Sequence, residues 1–204
     1  MTKPRFNPDL LNVPLYVGGR AIQEIQEKYG LEKVVKLASN ESPVGSSPLA
    51  IQAALEMMAE AHRYPGVGDV NLRRKLAERF GQRLTENNFL IGNGATDLLR
   101  MIKQAITFDG GNNIMADAPN PKNSLHYVEK GRYVIVLRRF SKASGLANLR
   151  VGYMIAPVEI AEYVRHALLP FNTSDIALCA AAASMDDDEY NELQRRTVLD
   201  GRDY

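Results

Sequence analysis

The stretch Tyr133-Val-Ile-Val-Leu-Arg-Arg-Phe-Ser-Lys-Ala-Ser-Gly-Leu-Ala-Asn-Leu-Arg-Val-Gly-Tyr153 joins a β-branched run to a polar segment that contains a lysine. The run Tyr133–Leu137 is typical of a strand covered on both faces in a parallel sheet. Lys142 follows this strand at its carboxyl end, which is where α/β folds bind their ligands. From the residues alone, Lys142 is either part of a ligand site or an ordinary surface-loop lysine.

A second unit with chemical content lies earlier in the chain. Its residues predict a strand at Asn88–Ile91, a turn at Gly92–Asp97 and a helix at Leu98–Ile106. Two glycines let the turn approach a ligand closely, and the helix N-terminus offers free N–H groups and a positive dipole end. This arrangement suits a phosphate, although glycine is also common in turns that bind nothing. The turn is neither a Walker A loop nor a GxGxxG fingerprint.

The remaining chain predicts an α/β domain that follows an arm. The arm includes a helix over Ala21–Tyr29, which Gly30 ends. Further predicted elements are β-rich runs at Val34–Ala38 and Asn112–Ala116, a helix from Pro48 with Ile51, Leu55 and Met58 on one face, a core-facing helix with Leu72, Leu76 and Phe80, and an irregular segment at Asp117–Asn123.

Composition and charge exclude several classes of protein. The 204 residues include 25 Lys and Arg against 24 Asp and Glu, so no nucleic-acid partner is expected. No apolar run approaches a membrane span and the N-terminus has no apolar signal region, which favours a cytoplasmic protein. The single cysteine, Cys179, lies in an Ala-rich stretch that predicts a buried helix and an inert thiol. The histidines are too far apart in sequence to predict a metal site.

The lysine segment resembles the cofactor-lysine segment of the fold type I pyridoxal-phosphate aminotransferases, whose pattern is Ser-Lys-x-x-Gly-Leu-x-x-x-Arg-Val-Gly. Within that group the chain is most similar to the histidinol-phosphate aminotransferases. Further motifs follow in family order: Tyr16–Gly19, Leu37–Pro43 with Gly45, His62–Pro65, Gly92–Thr96 and Pro170–Asn172. The resemblance implies an α/β fold with a three-layer α/β/α large domain and a mainly parallel sheet, shortened in this chain.

The resemblance also implies a cofactor and a set of residues that bind it. Lys142 would bind pyridoxal 5′-phosphate as a Schiff base and, once freed by the amino substrate, move the proton between Cα and C4′. The N–H groups of Ala95 and Thr96 would bind the cofactor phosphate. Ser141 and Arg150 would complete this site, because a guanidinium fork suits two phosphate oxygens.

Three residues within the other listed motifs receive roles from the same resemblance. Tyr64 resembles the family tyrosine that reaches the cofactor phosphate of the neighbouring subunit, which implies a homodimer with shared sites. Tyr16 and Asn40 resemble substrate-side residues, and a turn or packing role is equally open for both.

The resemblance implies a division of the chain into three parts. Residues 1–33 would form an N-terminal arm, and residues 34–170 the pyridoxal-phosphate-binding large domain, shortened around 117–123. Residues 171–204 would begin the helix that leads to an absent small domain, which in the family carries the substrate-carboxylate arginine.

The chain departs from the family pattern at several points. Arg139 stands where a small hydroxyl residue is usual, and Thr96-Asp97 replaces an acidic pair. A long internal part of the large domain has no counterpart, and with it the ring-stacking aromatic, the asparagine of the Asn-Pro-x-x-Pro-Thr-Gly motif and the Asp-Glu-Ala-Tyr aspartate and tyrosine are missing. That aspartate keeps the pyridine nitrogen protonated. Neither Asn120 nor Asp117 has the flanking residues of a replacement.

These observations favour a pyridoxal-phosphate-dependent aminotransferase that acts on histidinol phosphate and 2-oxoglutarate in histidine biosynthesis. Loss of strands from the middle of a parallel sheet would expose edges and apolar helix faces, so the chain is expected to be an incomplete form of an active parent. Transamination by these 204 residues alone is therefore not expected. The alternatives are a related aromatic aminotransferase or threonine-phosphate decarboxylase, a non-catalytic remnant that binds the cofactor, phosphate or a partner, and a phosphate-ester binder that uses only the Gly92–Asp97 turn.

Overall fold

The structure, a computed structural model, describes residues 7–66, 69–81, 83–106 and 121–202. The chain divides by its contacts into two compact units, Met1–Asn40 and Glu41–Tyr204. The finer division into an arm (1–33), a large domain (34–170) and a final segment (171–204) stays a prediction.

The first unit contains the predicted helix but not the predicted strand. Helix α1, Ile22–Tyr29, ends at Gly30, whose φ of 63° is left-handed and therefore suits glycine. Residues 34–38, all within the described ranges, contain no strand, so that prediction was wrong. A β-rich run needs a neighbouring strand and a surface to cover it, and the exposed side chains of Val35 and Leu37 have no such cover.

The second unit alternates helices and strands. Its elements are α2 (Pro48–Met58), α3 (Asp69–Phe80), β1 (Phe89–Asn93), α4 (Gly94–Ile106), α5 (Pro121–Glu129), β2 (Val136–Arg139), β3 (Val151–Ile155), α6 (Val158–Arg165), α7 (Asp175–Ser184) and α8 (Asp188–Arg202). The predicted strand, glycine turn and helix are confirmed, although α4 begins within the predicted turn.

One segment predicted to be irregular is partly helical. Residues 121–123 form the start of α5, since proline suits the first position of a helix. The predicted strand at Asn112–Ala116, and with it Asp117 and Asn120, lies outside the described residues.

The three described strands are arranged in the order β1-β3-β2, and both neighbouring pairs are antiparallel. The expectation of a mainly parallel sheet is therefore wrong for these strands. Parallel neighbours need a crossover of a dozen or more residues, and the segment between β2 and β3 is shorter and contains only a 3₁₀ turn. The predicted strand Tyr133–Leu137 is also only partly confirmed, because β2 begins at Val136. Val136 is buried but Tyr133 is exposed, so the run is not covered on both faces along its length.

Helices cover both faces of the sheet, which confirms the three-layer α/β/α architecture. Ile91 and Tyr153 face a core formed with α2, α3 and α7. Leu90 and Met154 point to the opposite face, where α4 and α6 pack. Alternation of side chains along each strand thus supplies both cores.

Helices α2 and α3 bury different kinds of surface. Leu72 and Leu76 of α3 are buried, as predicted. Helix α2 packs instead through Ala50 against the alanine-rich α7, because small side chains allow a close approach. Its larger apolar side chains form an exposed stripe, which we call the α2 stripe: Ile51, Leu55 and Met58.

Two smaller expectations concern the thiol and the membrane. Cys179 is half-buried rather than buried, and burial together with the nearby Asp175 raises the pKa of its thiol. A raised pKa leaves less of the reactive thiolate. In the described ranges, no helix has both the length and the apolar character that a membrane span requires.

Candidate active site

The topology brings two candidate segments to one edge of the sheet. β1 and β2 run in the same direction on either side of β3, so their carboxyl ends meet at this edge. α4 follows β1 at Gly94, and the loop with Lys142 follows β2 at Phe140. Residues far apart in sequence are therefore expected to act on one ligand here.

The first turn of α4 is the candidate anion-binding element, and neighbouring side chains hold it in place. Its N–H groups, those of Ala95 and Thr96 among them, have no acceptor within the helix. The Asp97 carboxylate accepts a hydrogen bond from the Asn93 N–H at 3.1 Å, and the Asn172 side chain donates to the Ile91 carbonyl at 3.2 Å. These bonds hold the start of the helix against the end of β1.

Glycines allow α4 and Arg150 to approach one another closely. A Cβ at Gly152 would lie 2.8 Å from the Ala95 nitrogen, so β3 tolerates only glycine against the helix start. A Cβ at Gly94 would lie 2.6 Å from Nη2 of Arg150. The Arg150 guanidinium also donates to the Ala147 carbonyl at 3.0 Å. The structure thus brings Arg150 against Gly94, the first residue of α4 and the neighbour of Ala95.

Backbone hydrogen bonds close the loop that carries Lys142. The Leu146 N–H donates to the Phe140 carbonyl at 3.0 Å, and the Gly145 N–H donates to the Lys142 carbonyl at 3.0 Å. Phe140 is buried in the core, Ser141 is 6% exposed and Lys142 is half-buried. The buried phenylalanine anchors the loop, which fixes the backbone from which the lysine side chain extends.

Arg139, which departs from the family pattern, is the last residue of β2. It is exposed, and in the sheet it lies opposite Gly152. Because Gly152 packs against the first turn of α4, the Arg139 backbone is one strand away from the anion-binding element. This arginine adds positive charge at the same edge of the sheet.

Tyr64 contacts an aromatic side chain of its own unit. Its ring stacks on Phe171 with centroids 4.8 Å apart, and both rings are largely exposed. Phe171 has a φ of 56° and precedes Asn172, the residue that holds the end of β1.

Tyr16 and Asn40 belong to the first unit. The Tyr16 side chain is 92% exposed, and Asn40 has a φ of 50° in a turn. Their assignment to a substrate stays a prediction.

Three residues of this edge had no role in the sequence analysis. Asn172 belongs to the Pro170–Asn172 motif, to which the resemblance assigns no contact. Asp97 is a departure from the family pattern. Tyr190 of α8 lies in none of the listed motifs. A signal for Asp97 existed, since an acidic residue in the first turn of a helix commonly caps it. No local pattern connects Tyr190 to the lysine loop.

Two clefts flank the loop. One of about 490 Å³ is lined by Glu41, Ser42, Gly45, Ser46, Gly145, Ala147 and Asn148. Another of about 630 Å³ opens between α3, α5 and α7, with Phe140 and Ser144 in its wall. The described residues include no group of three His, Cys, Asp or Glu side chains that could hold a metal ion.

Comparison with known proteins places the chain in a family. The family model for aminotransferases of class I and II matches residues 32–123 and 121–203. The chain therefore belongs to the aminotransferase class I and II family, whose cofactor is pyridoxal 5′-phosphate. Its architecture is that of the fold type I aminotransferases.

Relatives and solved structures give the same assignment. The histidinol-phosphate aminotransferase of Moorella thermoacetica is 28% identical, with 100% of this chain and 74% of the relative covered. Histidinol-phosphate aminotransferase 2 of Pseudomonas aeruginosa is 26% identical, covering 93% and 74%. The structure of the Sinorhizobium meliloti histidinol-phosphate aminotransferase in complex with pyridoxal-5′-phosphate has a TM-score of 0.74 at 19% identity, covering 99% of this chain and 76% of that one.

The comparisons also indicate that an internal stretch of the family is missing from this chain. The alignment with the Moorella relative extends over 289 positions although the chain has 204 residues, a difference of 85 positions. The two segments matched by the family model meet at residues 121–123. This junction lies in the region where the sequence motifs for the cofactor ring were expected.

Proposed function

We propose that the protein uses pyridoxal 5′-phosphate to transfer an amino group from histidinol phosphate to 2-oxoglutarate, as a step of histidine biosynthesis in the cytoplasm. The observation that carries this proposal is the meeting of the α4 N-terminus, Arg150 and the Lys142 loop at one sheet edge. The names of the relatives support the choice of substrate.

The phosphate end of the cofactor fits the residues present. The absence of a Cβ at Gly94 and Gly152 allows the Arg150 guanidinium and β3 to pack directly against the start of α4. The N–H groups of Ala95 and Thr96 would hold phosphate oxygens, with Ser141 beside them. Positive charge and unpaired N–H donors together suit a dianion.

Lys142 would be the catalytic residue. When bound, the cofactor supplies an electron sink that stabilises negative charge on the substrate carbon. The amine of Lys142 would attach the cofactor through its aldehyde carbon and, after release, move a proton on the substrate. Tyr16 and Asn40 would contact the substrate.

The proposed active form is a homodimer in which Tyr64 reaches the cofactor phosphate of the partner subunit. Exposed apolar surface supports an association of this kind. The Tyr64 and Phe171 rings are 79% and 59% exposed, and the α2 stripe adds further apolar area. Apolar patches of this sort commonly mark interfaces between proteins.

A second candidate function is cofactor or phosphate binding without turnover. The observation that favours it is the internal gap, because the family's asparagine, aspartate and tyrosine for the cofactor ring have no counterpart in this sequence. Without the aspartate the pyridine ring would be a weaker electron sink. We therefore expect cofactor attachment to be retained better than transamination.

The test is to add pyridoxal 5′-phosphate to the purified chain, reduce the mixture with borohydride and locate the attached mass by peptide mapping. A single modified peptide that contains Lys142 is the expected result. The Lys142→Ala variant should lose this modification, whereas Lys130→Ala, at an exposed lysine of the same unit, should keep it.

Addition of histidinol phosphate and 2-oxoglutarate to a separate sample, loaded with cofactor but not reduced, separates the two candidates. Formation of glutamate supports the aminotransferase, and attachment at Lys142 without glutamate supports the binding function. Modification scattered over many lysines would contradict both.

A further inference from the structure

A tyrosine far from Lys142 in sequence contacts the loop that carries it. Tyr190, in the first turn of α8, is 5% exposed, and its hydroxyl donates a hydrogen bond to the Gly45 carbonyl at 2.7 Å. The same hydroxyl would lie 2.6 Å from a Cβ added at Gly145. The Tyr190 side chain therefore ends between the Gly45 turn and the lysine loop.

The Gly45 turn is itself held by α8. Ser47 Oγ donates to the Asp187 carboxylate at 2.6 Å, and the same carboxylate accepts from the Leu49 N–H at 3.3 Å and from the Tyr190 N–H at 3.1 Å. Ser42 Oγ donates to the Gln194 side chain at 3.0 Å. With bonds on both sides of Gly45, the turn cannot shift without breaking contacts to the helix.

The Gly45 turn also supports the lysine loop. Ser46 Oγ donates to the Gly145 carbonyl at 2.7 Å. A Cβ at Gly145 would lie 2.1 Å from the Gly45 carbonyl oxygen and 2.9 Å from Cα of Ser46, so the two backbones touch. Gly145 has a φ of +65° and closes the hydrogen bond to the Lys142 carbonyl.

We infer that Tyr190 is a positioning residue for Lys142, acting through Gly45 and Gly145 to fix the backbone from which the lysine reaches the cofactor. The inference deepens the proposed function and rests on it. Among the proposed phosphate-binding residues, only Ser141 is adjacent to Lys142, whereas Ala95 and Thr96 belong to α4 and Arg150 directly precedes β3. Loss of the Tyr190 hydroxyl should therefore slow the attachment of the lysine much more than it weakens phosphate binding.

The experiment compares two probes on the full chain and on Tyr190→Phe. Pyridoxine 5′-phosphate carries an alcohol in place of the aldehyde, so its affinity reports the phosphate site alone. Pyridoxal 5′-phosphate, quenched with borohydride at timed intervals, reports the rate of attachment to Lys142 by peptide mapping. The matched control is Tyr163→Phe, at an exposed tyrosine of α6.

We expect Tyr190→Phe to bind pyridoxine 5′-phosphate within twofold of the unmodified chain and to attach pyridoxal 5′-phosphate about fivefold more slowly, as for the loss of one hydrogen bond. Tyr163→Phe should change neither quantity. Ser46→Ala should slow attachment in the same way, and the double variant should fall short of the summed effects because both changes act on Gly145. If Tyr190→Phe does not fold, Ser46→Ala decides the test.

Three results would overturn the inference in distinguishable ways. Equal attachment rates for Tyr190→Phe and the chain without this substitution would show that Tyr190 does not position Lys142, and would leave the proposed function intact. A parallel loss of pyridoxine 5′-phosphate affinity, attachment rate and thermal midpoint would show a purely structural role. Absence of attachment at Lys142 in the unmodified chain would overturn the proposed function as well.

Discussion

Substitution of Gly152 by alanine tests the close approach of β3 to α4. The new Cβ would lie 2.8 Å from both the Ala95 nitrogen and the Gly94 carbonyl carbon, and 3.1 Å from Cα of Gly94. Ordinary contact begins at 3.4 Å, so the helix start must move by at least about 0.6 Å. All three obstructing atoms belong to the backbone, and no side-chain rotation can relieve the clash.

The magnitude follows from the cost of overpacking. Forcing an extra methyl group into a filled site costs about 1–3 kcal/mol. For a chain of this length each kcal/mol lowers the thermal midpoint by roughly 2–4 °C, so a cost of about 2 kcal/mol corresponds to about 4–8 °C. Displacement of the Ala95 N–H would also weaken a charge-assisted hydrogen bond to phosphate, which corresponds to roughly tenfold weaker binding of pyridoxine 5′-phosphate.

The assay combines thermal unfolding followed by circular dichroism with titration of pyridoxine 5′-phosphate. The control is Gly201→Ala, because a Cβ at this position of α8 meets open space. Alanine in place of a helical glycine should stabilise by about 0.5–1 kcal/mol and leave binding unchanged. A Gly152→Ala variant that melts within 1 °C of the unmodified chain and binds the probe equally well would refute the reasoning.

Three further predictions concern titration and association. Burial raises the pKa of Tyr153 to about 12, so stability that is present below pH 10 should be lost as pH rises through 12, by roughly 3 kcal/mol. Tyr153→Phe should lack this loss in urea unfolding. The hydrogen bond from Ser47 lowers the pKa of Asp187. Asp187→Asn should therefore destabilise the chain at pH 7, and by progressively less as pH falls below 4. A loss of stability that did not change between pH 7 and pH 2 would contradict the lowered pKa. Leu55→Glu, which places charge in the α2 stripe, should shift sedimentation of the proposed dimer towards the monomer, and an unchanged dimer would place the interface elsewhere.

Local patterns predicted the elements on which the site is built. The strand and glycine turn before α4 and the stop of α1 at Gly30 each depend on a few neighbouring residues, and each was confirmed. These features follow from steric preferences and burial within single segments, which the sequence displays directly.

Contacts between distant segments could not be predicted in this way. The antiparallel pairing of β3 with both neighbours and the exposure of the α2 stripe depend on which surfaces meet, and single-segment periodicity is the same whichever partner is present. The run at 34–38 has the composition of a strand, but among the described residues it pairs with no strand, and Val35 and Leu37 are exposed.

By itself, the sequence determined which residues could bind a phosphate and carry an amine, because those properties belong to the side chains and to short backbone motifs. Only the tertiary structure decided which of them meet. It packs Gly94 against Arg150, and it connects Tyr190 to the Lys142 loop through Gly45 and Gly145. The physical reason is that hydrogen bonds and steric contacts act over a few ångströms in space, and the fold alone brings segments separated by about a hundred residues to that distance.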